Sequence, residues 1–145
     1  MSTQYKKHII FTGGSSGIGY EATKVLAADP ETHIVVLSRS PPKDLPDNVE
    51  FHKFDLSDPE SVRSCAEWWP YPPADAFVGC AGIGGTPKVT YIQDGIEQTF
   101  ATNHLGHALL IFLLNDRGAF APNARISFVG SSLHDPENPS SLKPY

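Results

Sequence analysis

The sequence predicts an α/β fold built on a doubly wound parallel sheet, and three observations lead to that prediction. Short apolar runs alternate with longer stretches in which apolar residues recur at helical spacing. Runs such as residues 33–38 are apolar on both faces, which is typical of parallel strands covered on both sides. A glycine-rich turn separates the first run from the first helical stretch. With right-handed crossovers, this arrangement places a ligand crevice at the carboxyl ends of the strands.

The first half of the chain contains three predicted strands and one predicted helix. Residues 8–12 are β-branched and aromatic and end at a Gly-Gly pair, which indicates a buried strand. Residues 17–28 follow as a helix, which ends at an Asp-Pro pair. Residues 33–38 form the second strand, a proline-rich loop covers 40–48, and the weaker, alternating run 49–54 is the third strand.

The second half continues the alternation. Residues 57–60 (Ser-Asp-Pro-Glu) predict a helix start, because Ser or Asp can cap, Pro suits the first turn and the acid complements the dipole. That helix ends near Trp69. Residues 74–80 are the fourth strand, 94–114 a long helix and 125–130 the fifth strand.

Composition limits the classes of function. A chain of 145 residues with 40% hydrophobic content suits one domain with one core. The net charge of -5 gives no support to nucleic-acid binding, which needs a basic face. Cys65 and Cys80 are too few for a disulfide framework, and neither a signal-peptide core nor a membrane-length apolar run is present. We therefore expect a cytoplasmic protein with no membrane span, whose single domain (1–145) is incomplete at its C-terminus, with a loop-like tail over 133–145.

The turn after the first strand predicts a dinucleotide site. Gly13, Gly17 and Gly19 permit a tight turn and a close approach of the backbone to a pyrophosphate, and the helix N-terminus adds partial positive charge. An ordinary structural turn is the alternative. The predicted cofactor-binding residues of this turn are Thr12, Gly13, Ser15, Ser16, Gly17, Ile18 and Gly19.

Charge at the end of the second strand bears on the choice of cofactor. An NAD site commonly has a carboxylate there, whereas this chain has Arg39 and no acid. A guanidinium can bind the 2′-phosphate of NADP in bidentate fashion. Arg39 therefore favours NADP (NADPH) over NAD, with a solvated surface arginine as the alternative.

The spacing Thr-Gly-x-x-x-Gly-Ile-Gly over residues 12–19 resembles the fingerprint of the short-chain dehydrogenase/reductase family. The run from residue 94 to residue 107 looks like the retinol dehydrogenase and protochlorophyllide reductase-like branch. The resemblance implies a Rossmann-type fold and an NADP(H)-dependent oxidoreductase that acts on a small carbonyl or alcohol, with a homo-oligomer possible at full length. It also implies that the following positions bind the cofactor: Asp55, Leu56, Cys80 (where the family usually has Asn), Ala81, Gly82 and Asn103. The positions that match the family's catalytic residues are Asn103 and Ser131.

Several residues keep a second interpretation. Asp55 also fits an acid at the approach to a helix, and Asn103 a buried polar residue whose hydrogen bonds are satisfied. His104 and His107 lack a third ligand at matching spacing, so no metal is predicted. Tyr145 falls near the family's serine-to-tyrosine spacing but has no lysine after it. We therefore expect the cofactor-binding portion of an enzyme, the alternative being a non-catalytic nucleotide-binding protein or an inactive shortened homologue.

Overall fold

A computed structural model describes residues 5–84, 88–92, 95–135 and 137 of the chain. Its five strands form one parallel sheet in the order β3-β2-β1-β4-β5. The strands are β1 (Lys7–Thr12), β2 (Thr32–Ser38), β3 (Val49–Lys53), β4 (Ala74–Gly79) and β5 (Phe120–Phe128). The helices are α1 (Gly17–Ala27), α2 (Pro59–Trp68), α3 (Gln98–Phe100) and α4 (Gly106–Asp116), with a π-helical segment at Ala101–Leu105.

Both faces of the sheet carry helices, which confirms the predicted α/β class. On one face, Ile10 and Phe77 belong to a core that also contains Leu110 of α4. On the other face, Phe11 and Val36 form a second core, against which Leu26 of α1 packs. The central position of β1 places its carboxyl end between those of β2 and β4, which is where such folds form their crevice. No helix within the described ranges is long and apolar enough to cross a membrane.

The long helix predicted from residue 94 differs in the structure. Residue 94 lies outside the described residues, and an antiparallel bridge between Tyr91 and Glu97 precedes the helix. The Glu97 carboxylate then accepts hydrogen bonds from the amides of Thr99 and Phe100, at 2.8 and 2.7 Å, so α3 begins at Gln98. The helical path therefore starts later than predicted, and it contains a π turn that sequence periodicity does not reveal.

The fifth strand starts earlier than predicted. It begins at Phe120 rather than 125 and includes Pro122, and the pairing of β4 with β5 is irregular between Ala74 and Ala76. Proline is tolerated at such a place because β5 is an edge strand and the missing N–H is not needed there. A short 3₁₀ turn occupies Ser132–His134, at the start of the predicted tail. Tyr145 lies outside the described residues.

Candidate functional site

A cleft of about 450 Å³ opens at the carboxyl ends of β1, β2 and β4. The glycine turn forms its floor, the ends of β2 and β3 form one wall, and the end of β4 with the π segment forms the other. Most of the predicted cofactor residues line it, namely Gly13, Ser15, Ser16, Gly17, Ile18, Gly19, Arg39, Asp55, Leu56, Cys80, Ala81 and Gly82.

Two glycines of the turn are required by close contacts. Gly13 has a positive φ of 75°, and a Cβ built on it would lie 2.6 Å from both the Cα and the amide nitrogen of Ala81. A Cβ on Gly19 would overlap the Gly13 carbonyl oxygen. Only residues without a side chain let α1 start this close to the ends of β1 and β4.

The N-terminus of α1 differs from that of α2 in how its amides are satisfied. In α2, the Asp58 carboxylate accepts from the Glu60 amide at 3.0 Å, and Pro59 occupies the first turn. Ser16, the N-cap of α1, makes no side-chain capping bond among the described residues, and the first turn of α1 holds no acid. The positive end of α1 is therefore left to a group in the cleft, where an anion would be stabilised.

Arg39 follows β2 on the first wall and is exposed. The turn that carries it is shaped by the Ser38 hydroxyl, which donates to the Ser40 carbonyl at 2.8 Å. Within the described part of the chain, Arg39 forms no ion pair, and Asp55 is the acidic residue among those that line the cleft. The guanidinium is therefore available to an anionic group.

Asp55 has a local structural role and also lines the cleft. Its Oδ1 accepts from the amide and the hydroxyl of Ser57, at 2.9 and 2.7 Å, and its own amide donates to the Ser61 hydroxyl at 3.0 Å. Asp58, and not Ser57, caps α2. The two interpretations of Asp55 are thus compatible, because one carboxylate oxygen orders the turn while the half-buried side chain borders the cleft.

Thr12 is fully buried and does not line the cleft. Its hydroxyl oxygen lies 2.8 Å from His107 Nε2 and accepts from the amides of Cys80 and Ala81, at 3.2 and 3.3 Å. Thr12 therefore acts on the cleft by holding the end of β4. Burial raises the pKa of the Cys80 thiol, which agrees with a neutral wall residue.

Asn103 lies in the π segment and is exposed, so the burial expected in the alternative interpretation is wrong, whereas the satisfied hydrogen bonds expected there are present. Its Oδ1 accepts from the Ile83 amide at 2.8 Å, and its Nδ2 donates to the Ile83 carbonyl at 2.9 Å. Asn103 does not itself line the cleft, but its partner Ile83 and its neighbour Thr102 do. The asparagine thus joins the helix to the loop after β4.

Ser131 lies after β5 and does not line the cleft in this structure. It is exposed, and its Oγ accepts from the Leu133 amide at 3.1 Å. The two helix histidines, for which no metal is predicted, differ in their environments. His104 is exposed and stacks on Phe100, whereas His107 is buried, so the two rings do not face one common position.

None of the residues that line the second wall beyond Gly82 was identified from the sequence. Ile83, Gln98 and Thr102 line the cleft there. The buried ring of His107 is hydrogen-bonded to Thr12 and to the carbonyl of Asn103, the neighbour of Thr102. A signal for His107 was present, since it is the one histidine on the apolar stripe that continues to Leu110 and Leu114.

A glycine turn, an open helix N-terminus and a cleft at the carboxyl edge of a parallel sheet are together typical of the dinucleotide-binding class of α/β folds. The family model for short chain dehydrogenase matches residues 7–138, and the chain belongs to that family. This result confirms the resemblance inferred from the sequence.

Relatives and solved structures agree with this assignment. A probable oxidoreductase of Streptomyces antibioticus is 36% identical over 139 residues, which are 88% of this chain and 46% of the relative. The chloroplastic protochlorophyllide reductase of Chlamydomonas reinhardtii is 37% identical over 90% of this chain and 36% of its own length. The chain therefore spans less than half the length of either relative.

Two solved structures share the fold at 19% identity. One is a short-chain dehydrogenase/reductase of Burkholderia multivorans with bound NADP, with a TM-score of 0.74 over 93% of this chain and 63% of that one. The other is a short chain dehydrogenase of Leptospira borgpetersenii with bound NAD+, with a TM-score of 0.68 over 89% of this chain and 53% of that one.

Proposed function

We propose that this chain binds NADP(H) and is the cofactor-binding portion of an oxidoreductase that acts on a small carbonyl or alcohol. One observation carries the proposal: the N-terminus of α1 and Arg39, which have no capping bond and no ion pair among the described residues, open into the same cleft. A helix N-terminus suits the pyrophosphate, and a guanidinium suits a phosphate on the ribose 2′-oxygen.

The cleft accommodates the parts of the dinucleotide in one order. With the pyrophosphate over residues 15–19 and the 2′-phosphate at Arg39, the adenine lies against Asp55 and Leu56. The nicotinamide then lies on the opposite wall, beside Ala81 and Gly82. This order uses both walls and leaves the carboxylate of Asp55 on the adenine side, away from the phosphates.

When bound, the nicotinamide supplies or accepts a hydride, and the protein's contribution is to orient the ring and the substrate. Asn103 holds the loop at Ile83 that borders the ring's side of the cleft. Ser131 is the proposed second catalytic residue, whose hydroxyl orients the substrate oxygen. The same proposal includes a small-molecule substrate and a cytoplasmic location.

The test is a pair of binding titrations of the purified chain with NADPH and NADH. We expect tighter binding of NADPH, and we expect Arg39→Ala to weaken NADPH binding by about tenfold or more while NADH binding changes little. Arg63→Ala is the matched control, because Arg63 is an exposed arginine on α2, outside the cleft. Equal losses for the two cofactors would remove the preference for NADP, and absence of binding to either would overturn the proposal.

A further inference from the structure

His107 lies at the centre of a hydrogen-bond network that joins the π segment to the end of β4. These two elements form the second wall of the cleft, on which the proposed function places the nicotinamide. The ring is buried in α4, with edge-on contacts to Phe77 and Phe128 at centroid distances of 6.1 and 5.5 Å. Its Nε2 lies 2.8 Å from Thr12 Oγ1, and its Nδ1 lies 3.0 Å from the carbonyl oxygen of Asn103. Each ring nitrogen therefore has one partner, on different elements of the fold.

The chemistry of these partners determines the tautomer. A carbonyl oxygen only accepts, so Nδ1 carries the hydrogen and donates to Asn103. In a neutral ring Nε2 then accepts, and the Thr12 hydroxyl donates to it. This leaves the two lone pairs of the Thr12 oxygen for the amides of Cys80 and Ala81. The Thr12 hydroxyl also lies 3.4 Å from the Val78 carbonyl oxygen, but the His107 nitrogen at 2.8 Å is the closer acceptor for its hydrogen. The Cys80 amide is shared between the Thr12 hydroxyl and the Thr12 carbonyl oxygen, each at 3.2 Å.

A charged ring would not fit the same network. An imidazolium carries a hydrogen on Nε2 as well, and it would compete with two amides for the two lone pairs of Thr12. Burial lowers the pKa of His107, and the nearby His104 acts in the same direction, while the bond to Asn103 opposes them. The ring is therefore neutral near neutral pH, in one tautomer.

We propose that His107 is a positioning residue, which holds the π segment and the end of β4 together as one wall for the nicotinamide half of the cofactor. The link runs from Asn103 through the ring to Thr12 and on to Ala81, which lines the cleft. The part of this proposal that concerns the cofactor rests on the proposed function. The opposite wall, formed by the ends of β2 and β3 and here called the adenosine wall, is outside this network. Asp55 and the turn that carries Arg39 are ordered by bonds among residues 38–61.

The tautomer is tested without any cofactor, by nitrogen-resolved NMR of the imidazole ring. We expect the signature of a neutral ring protonated at Nδ1, and a slowly exchanging proton on that nitrogen. Thr12→Val should shift the Nε2 signal together with the amide signals of Cys80 and Ala81, whereas Thr12→Ser should restore them. A ring protonated at Nε2, or no response to Thr12→Val, would overturn the proposed network.

The positioning role is tested by comparing NADPH with adenosine 2′,5′-bisphosphate, which carries only the adenosine half. For His107→Leu we expect NADPH to bind about tenfold more weakly, while the bisphosphate stays within about twofold. His104→Leu is the matched control, and it should change neither affinity because its ring is exposed and outside the network. Equal weakening of both ligands, or no weakening of NADPH, would overturn the role.

If His107→Leu does not fold, the Thr12→Val and Thr12→Ser pair makes the same comparison, because the serine keeps the hydroxyl. Failure of the wild-type chain to bind either ligand overturns the proposed function and, with it, the cofactor part of this proposal. The NMR experiment then still decides whether His107 joins the two elements.

Discussion

Gly13 and Ala81 meet across the top of the sheet, so closely that a Cβ on Gly13 would lie 2.6 Å from the Ala81 Cα. Gly13 directly follows β1, and Ala81 follows β4, the neighbouring parallel strand. The contact brings the glycine turn and the second wall of the cleft, formed by the end of β4 and the π segment, into one surface. We therefore expect substitutions on either side of this contact to change the shape of the cleft more than they change the packing of the rest of the core.

Gly19→Ala tests this packing. The added Cβ would overlap the Gly13 carbonyl oxygen, so the turn must shift. We expect the unfolding free energy to fall by about 1–3 kcal/mol and NADPH binding to weaken by about tenfold or more. Gly84→Ala is the control, because a Cβ there meets open space. Chemical denaturation and cofactor titration would measure both effects, and normal binding by Gly19→Ala would contradict the prediction.

Asp55 and Asp58 allow a stability effect to be separated from a binding effect. Asp55→Ala removes two bonds to Ser57, and Asp58→Ala removes the cap of α2. Each should lower the unfolding free energy by about 1 kcal/mol. Only Asp55→Ala should also weaken NADPH and adenosine 2′,5′-bisphosphate, because Asp55 lines the cleft and Asp58 does not. Equal binding by the two variants would show that Asp55 has only the local structural role.

A buried pair of histidines at the other end of the sheet predicts acid sensitivity. His8 and His33 have their Nδ1 atoms 3.2 Å apart, and burial is the largest cause that lowers the pKa of each from an ordinary value of 6.5. Asp75 on β4 and Glu50 on β3 oppose the shifts, and Tyr71, which donates to Glu50, packs against His33.

The sign of the effect follows from proton counting. Because the folded pKa values are lowered, the unfolded chain binds more protons below about pH 6.5, so stability is full above that pH and is lost as the pH falls. We expect the thermal midpoint to drop by a few degrees from about pH 7.5 to about pH 5.5, and His33→Phe to make this dependence shallower. His104→Ala should leave the dependence unchanged, since its ring is exposed. An unaltered slope in His33→Phe would rule out the pair as its source.

An exposed apolar groove beside α1 predicts that the 145-residue chain self-associates. A groove of about 430 Å³ is lined by apolar residues only, among them Val25 and Val129, which are 75% and 53% exposed. Exposed apolar patches beside an edge strand favour association. Val25→Lys should lower both the fluorescence of a dye that binds apolar surfaces and the light scattering of the solution. Ala28→Lys is the control and should lower neither, because Ala28 is exposed and lies outside the groove. Equal effects of the two lysines would point to net charge instead.

The sequence predicts those parts of the fold that burial alone determines. The first four strands were located within one residue at each end, and the first two, whose residues are almost all buried, are the clearest cases. The glycine turn was predicted because the contact that requires Gly19, with the Gly13 carbonyl, is local, although the contact that requires Gly13 involves the distant Ala81. The capping of α2 was predicted for the same reason, since Asp58 bonds to a residue only two positions away.

The remaining features depend on contacts between distant residues. The π segment is tied to Ile83, 20 residues earlier, and the ring that supports it is bonded to Thr12, 95 residues away. Asn48 is another example, because its buried amide donates to three carbonyls, including those of Ala27 and Thr32. Neither spacing nor propensity carries information about such partners.

The strand order β3-β2-β1-β4-β5 has an evolutionary consequence. Because β1 separates β2 from β4, the residues of the adenosine wall come from 37–57 and those of the opposite wall from 80–102, two stretches that do not overlap in the chain. Under the proposed function, substitutions in the first stretch would change which nucleotide binds without disturbing the wall that faces the nicotinamide. A lineage built on this sheet can therefore change its cofactor and its chemistry by separate, local mutations.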